Sequence, residues 1–324
     1  MLRVLSCATL AAFGFTTLPA SAQEKTVIKV GVTAGGGYDL AGRVMARHLG
    51  KHLGESGEIV VQNVTGASSL NLVKLMAADG KDNELGMMLA SLLLNSKLDP
   101  ENVNIDFAEF KWIGSLNNAE SICLTRKDSG IETFEDFVTK EFKIGATSVV
   151  GGFYQVQALI KNSFGAKFEI VTGFKGLRDI EAAIDRGEIA GYCGSQLAAF
   201  IRFNQSETRN LIGSLSSDVE LNGVTIPSII SAAKDESTKA SIALFSSRDA
   251  MYYPVMMAPS TSDETVERYR AAFDAMAMDE AFKAEMTDLQ TGVVTKSGAE
   301  VQAIVEAVAK TDPAALAKLN ELLK

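Results

Sequence analysis

The run Ala34-Gly-Gly-Gly37 carries the clearest chemical signal in the chain. An apolar, strand-like stretch leads into it and a helix-like stretch follows from Tyr38. Three glycines leave the backbone unshielded, so a ligand can approach its N–H groups closely. A helix starting there adds unpaired N–H groups and the positive end of its dipole. Together these bind an anion such as a carboxylate without any Lys or Arg. A tight βα connection with no chemical role would use the same residues. Asp39, in the first helical turn, also has two readings: an acid favoured by the dipole, or a polar group aimed at a ligand. Nucleotide readings fit worse. A G-x-G-x-x-G motif from Gly35 needs glycine at position 40, where Leu40 stands, and no G-x-x-x-x-G-K-[ST] occurs.

Similar small or polar runs recur after other strand-like stretches: 63–69, Ala90-Ser91, 147–152, 172–176 and Gly194-Ser195. Open α/β sheets bind ligands outside the carboxyl ends of their strands, so two sheets bearing such loops predict a cleft between two lobes. The candidate ligand-binding residues are Ala34, Gly35, Gly36, Gly37, Asp39 and Ser91 from the first half. From the second half they are Thr147, Ser148, Gly151, Gly152, Phe174, Gly176 and Gly194.

Catalytic constellations are thin. The only histidines, His48 and His52, share a helix face but lack the Glu of H-E-x-x-H, so they read as surface helix residues rather than metal ligands. No G-x-S-x-G elbow occurs, and no histidine is placed to activate Cys193. No cofactor, metal or enzymatic activity is expected. Cys123 and Cys193 can pair in an oxidising compartment or stand as buried free thiols; the sequence leaves both open.

The elements that position these residues alternate between strand and helix. Strands are expected at 26–32, 58–62, 84–89, 110–114 and 121–125. Helices are expected at 38–53 and 70–78, the first with an apolar stripe of Leu40, Ala41, Val44, Met45 and Leu49. A second series follows. It has a helix capped by Thr133, strands at 143–146, 167–171 and 189–193, and helices at 153–164 and 178–186, the last ended by Gly187. A strand at 251–258 and four helices from 262 to 323 complete the chain. The pattern predicts an α/β fold with mostly parallel sheets.

Residues 1–22 read as a secretory signal peptide. Arg3 is the only charge before Glu24, and the apolar stretch 5–18 is too short to span about 30 Å of hydrocarbon as a helix. Ala20-Ser21-Ala22 suits cleavage after Ala22. Removing 22 of 324 residues leaves 302, about two domains' worth. Losing Arg3 takes the net charge from −9 to −10. An acidic chain with no basic run is a poor partner for nucleic acid or anionic membranes.

Four stretches resemble the substrate-binding receptors of tripartite tricarboxylate transporters, the Bug receptors. They are Thr33-Ala-Gly-Gly-Gly-Tyr-Asp39 with Ala41 and Arg43; Val60-Val-Gln-Asn-Val-Thr-Gly-Ala67; Gly173-Phe-Lys-Gly176 with Ala182, Arg186-Gly-Glu188 and Gly191; and Ala258-Pro-Ser-Thr-Ser262. The resemblance implies a two-lobe periplasmic binding protein of type II-like architecture. Each lobe would be a mostly parallel sheet flanked by helices, closing on a small organic anion, a di- or tricarboxylate, held through backbone amides and water. The partner would be the membrane permease subunits, and the receptor would be a monomer. One lobe is expected from 23–124 with 252–324 and the other from 125–251, joined near 124–127 and 251–254. A secreted enzyme of the same architecture, or a sensor feeding a membrane kinase, are the alternatives.

Overall fold

The computed structural model describes residues 25–54, 59–149, 151–202, 205–221, 223–289 and 293–324; the expected signal peptide lies outside them. The first sheet is built outward from Val27–Val30 (β1). Val60–Asn63 (β2) and Glu84–Met87 (β3) pair with it in parallel, one on each side. All four residues of central β3 are buried, whereas edge strand β2 alternates exposed and half-buried residues. Lys111–Asn117 (β4) follows, and the chain leaves this sheet. It returns as Tyr252–Met257 (β12), inserted antiparallel between β3 and β4, and Lys296–Ser297 (β13) closes the far edge.

The second sheet has the order β7-β6-β8-β5-β9, with Ser121–Arg126 (β5), Lys143–Gly145 (β6), Glu169–Val171 (β7), Gly191–Gln196 (β8) and Arg209–Ser214 (β9). Here β6 runs parallel to β7 and β8, and β5 runs antiparallel to β8 and β9. Both sheets are therefore mixed. The parallel part of each comes from local strand–helix–strand units, and the antiparallel part from strands beside the crossings between lobes. A short hairpin, Val219–Leu221 (β10) with Val224–Ile226 (β11), stands apart from both.

The helix Gly37–Leu53 covers β1 with Ala41, Val44, Met45 and Leu49, the expected stripe, but Leu40 is 40% exposed. Gly42 sits where any Cβ would lie 2.8 Å from Val30 Cγ2, so the helix lies closer to its strand than a larger residue permits. The helix Phe134–Thr139 begins in a capping box between Thr133 and Asp136.

The first crossing differs from the expected 124–127. The whole of β5 hydrogen-bonds within the second sheet, so the chain crosses at residues 118–120. The return crossing falls at Met251, between the helix Glu236–Ala250 and β12. The sequence reading assigns no element between 196 and 250. The structure has there the helices Leu197–Arg202, Ile229–Ala232 and Glu236–Ala250, strand β9 and the hairpin. The buried set of Glu236–Ala250 includes Thr238, Ser241 and Ser246, so no apolar stripe marks it.

Candidate ligand-binding cleft

A cavity of about 340 Å³ lies between the two sheets. Tyr38, Leu89, Ala90 and Ser91 line it from the first lobe. Thr147, Gly152, Phe153, Val156, Gly194 and Gln196 line it from the second. The floor comes from the crossings: Ala119, Ser121, Arg248, Asp249 and Tyr252.

Three helices begin at this wall: Gly37–Leu53 at Tyr38, Ser91–Leu98 at Ser91, and Gly152–Phe164 at Gly152 and Phe153. The opening N–H groups of a helix have no intrahelical acceptor, so the helices opening at Tyr38 and Gly152 offer donors and partial positive charge to the space between the lobes. At Ser91, by contrast, the Leu92 and Leu93 N–H groups already bond the Leu89 and Ala90 carbonyls at 3.0 and 3.2 Å.

The first-lobe loops are held together by Ser69. Its hydroxyl donates to the Gly31 carbonyl at 3.1 Å and accepts the Leu89 N–H at 3.0 Å, tying the loops after β1 and β3 to the one after β2. Ala67, Ser68 and Ser69 all have positive φ, at 46°, 52° and 76°. Three such non-glycine residues in a row are strained, and the surrounding bonds must hold them.

Of the sequence-derived residues, Ser91, Thr147, Gly152 and Gly194 come together in the cavity wall. Gly151 is the N-cap of the helix opening at Gly152, and its N–H bonds the Ser148 carbonyl at 3.0 Å. Ala34, Gly35 and Gly36 lie exposed beside the cleft, outside its wall. Gly37 precedes the lining residue Tyr38 but is not in the wall itself; a Cβ there would sit 3.1 Å from Tyr253 Oη. Phe174 packs on Gly145 in the hydrophobic cluster with Ile180, and Gly176 is the N-cap of the helix Leu177–Asp185; neither lines the cavity.

Asp39 does not line the cavity. One carboxylate oxygen accepts from the Gly35 N–H at 2.9 Å and Arg43 Nε at 3.0 Å, the other from Arg43 Nη2 and Asn63 Nδ2 at 3.0 and 2.8 Å. Burial opposes ionisation, yet these bonds hold its carboxyl below the ordinary range. The carboxylate thereby ties the glycine loop at Gly35 to Arg43 and Asn63.

Sequence reasoning missed the aromatic and charged floor. Tyr38, Tyr252 and Tyr253 form a cluster with centroids 4.4 to 5.2 Å apart, and Tyr253 has a φ of 56°, an outlier for a bulky residue. Tyr38 Oη accepts the Ala90 N–H at 3.3 Å. Arg248 and Asp249 end the helix that the periodicity did not reveal. Burial pushes the Asp249 carboxyl up to about 6, against the opposing pull of Arg248 and the Ser121 hydroxyl. Neither histidine lines the cavity. His48 contacts Glu285 at 2.7 Å and His52 lies 3.5 Å from Asp279, both part-buried against the helix Glu280–Asp288. Among the described residues no group of three or more His, Cys, Asp or Glu could hold a metal.

Cys123 and Cys193 face each other across β5 and β8 and form a disulfide. It lies directly behind the cavity wall, next to Gly194.

At the level of sequence the chain matches no family model and no curated protein. In three dimensions it is similar to a TctC solute-binding protein from Polaromonas (TM-score 0.72, 17% identity), over 92% of this chain and 97% of that one. It is also similar to the periplasmic binding protein BugD (TM-score 0.60, 15% identity), over 92% and 97%. A third is MatC from Rhodopseudomonas palustris with bound malate (TM-score 0.57, 14% identity), over 93% and 99%. The chain has the fold of these solute-binding proteins. In this fold the two sheets are the two lobes, and the cavity over the crossings is the space between them. No helix among the described residues is long and apolar enough to cross a membrane.

Proposed function

We propose that this chain is an extracytoplasmic solute receptor that captures a small organic anion, a di- or tricarboxylate, for a tripartite tricarboxylate-type transporter. The observation that carries the reading is the convergence of helix N-termini from both lobes on one cavity, at Tyr38 on one side and Gly152 on the other. Such donors bind a carboxylate without a neutralising side chain, and closure of the lobes would complete the shell. The absence of histidine from the cavity wall supports a binder over an enzyme. The malate described with MatC supports a carboxylate ligand. The signal-like residues 1–22 and the periplasmic description of BugD support export to the periplasm. The permease subunits of the transporter would be the partners.

Gly152→Asp tests the site. A Cβ at Gly152 meets nothing within 4 Å, and an acid in the first turn suits the helix dipole, so the fold should stand. A carboxylate now occupies the anion position. Thermal-shift screening with malate, citrate and longer dicarboxylates should stabilise the wild type by mass action and leave this variant unmoved. Equal stabilisation of both would sink the site, and turnover of any ligand would sink the receptor reading.

A further inference from the structure

Arg248 ends a helix, where a cation is favoured by the dipole alone. Its surroundings demand more than that. The guanidinium lies over the Phe245 ring, 3.9 Å from its centroid, which fixes its plane. Nη1 donates to Gln155 Oε1 at 3.2 Å, reaching the helix Gly152–Phe164 of the second lobe. Nε stands 3.7 Å from Asp249 Oδ1, too long for a hydrogen bond. Nη2 has no hydrogen-bond partner among the described residues. The side chain is only 14% exposed, and that exposure is to the cavity it lines.

A guanidinium carries five N–H donors in a planar fork that matches a carboxylate. Left desolvated with donors unspent, it is costly, and a ligand oxyanion is the group that would satisfy it. The neighbouring Asp249 stands 3.7 Å from Nε and so takes up none of the fork's donors. The helix N-termini at Tyr38 and Gly152 offer one anion position to the cavity, as proposed above, and the guanidinium offers another on its floor.

We propose that Arg248 binds a second acid group of the ligand directly, so that this receptor selects dianions over monoanions of the same length. The proposal rests on the receptor reading above. The competing role is a latch, in which Arg248 holds the helix Glu236–Ala250 to Gln155 and has no contact with ligand.

Isothermal titration of the whole mature chain with succinate and butyrate, and with adipate and hexanoate, separates these. Arg248→Met keeps an unbranched chain over Phe245 and removes the charge. The wild type should prefer the dicarboxylate of at least one pair by tenfold or more, and Arg248→Met should weaken that dicarboxylate by about 10- to 100-fold, the worth of a charged hydrogen-bonded pair. The matched monocarboxylate should change by less than about threefold, since it lacks the group Arg248 contacts. Arg248→Lys restores charge without the fork and should recover the discrimination in part. Equal losses for both members of a pair would assign Arg248 to the latch, as would discrimination that survives Arg248→Met. If Arg248→Met does not fold, Arg248→Lys decides, because unchanged discrimination there overturns the bidentate contact. A wild type that binds no carboxylate overturns the receptor reading itself.

Discussion

The Ser121 hydroxyl donates to the Asp249 carboxylate at 2.7 Å. The two residues sit at the two crossings between the lobes, and the Ala119 N–H adds a second tie to the Asp249 carbonyl at 2.8 Å. The pair also forms part of the cavity floor. The joint between the lobes and the cavity floor therefore share one titratable group.

That group makes stability depend on pH. Asp249 is raised by burial to about 6, above the roughly 3.9 of an unfolded carboxyl. Facing it are Arg248 and Glu120, one favouring and one opposing its charge, with Ser121 and Tyr252 beside them. The folded state holds the proton more tightly, so the contribution is complete below about pH 4 and is lost as pH rises through about 6. Asp249→Asn cannot titrate there. The Tm of the wild type should fall relative to this variant between pH 4 and 7. A difference between the two that does not vary with pH would contradict the raised carboxyl.

Ser69→Ala should cost about 1–3 kcal/mol, because it leaves the buried Gly31 carbonyl and Leu89 N–H without the hydroxyl that satisfies both. Urea denaturation measures this. Leu89 lines the cavity, so ligand affinity should drop as well. A variant as stable as the wild type would mean that the strained 67–69 turn is held by something other than Ser69.

Replacing both cysteines, Cys123→Ala with Cys193→Ala, removes a cross-link that closes a separation of 70 residues. The expected loss is about 2–4 kcal/mol, mostly through a less constrained unfolded chain. Guanidinium melts of the double variant, and of the wild type with and without reductant, test it. Free thiol mapped to Cys123 or Cys193 in the unfolded, non-reduced wild type would refute the pairing.

Much of the architecture was legible in local sequence. The Gly-rich loop and its helix, the Thr133 cap and the alternating strands all follow from patterns shorter than one turn or one strand, where propensity and capping act. What local sequence did not reveal has another cause. The residues of β5 read as a strand in either lobe, and only pairing with β8 and β9 assigns them to the second sheet. The antiparallel insertion of β12 between β3 and β4 joins segments far apart in sequence, so no local period announces it. The cysteines met the same limit: pairing depended on the β5·β8 register that sets 123 opposite 193.

By itself the sequence determined that helices would open behind glycine and serine loops, and that such ends can offer unpaired N–H groups to a ligand. It did not determine which loops meet. Tertiary structure drew Ser91, Thr147, Gly152 and Gly194 into one wall and left Ala34 and Gly35 outside it. It turned Asp39 inward onto Arg43 and Asn63, and brought Arg248 and Asp249 to the floor from a helix whose buried face is too polar to show a stripe. The physical reason is range: capping and periodicity act over a few residues, whereas a cleft is a product of sheet order and crossing position, set by pairing between distant strands.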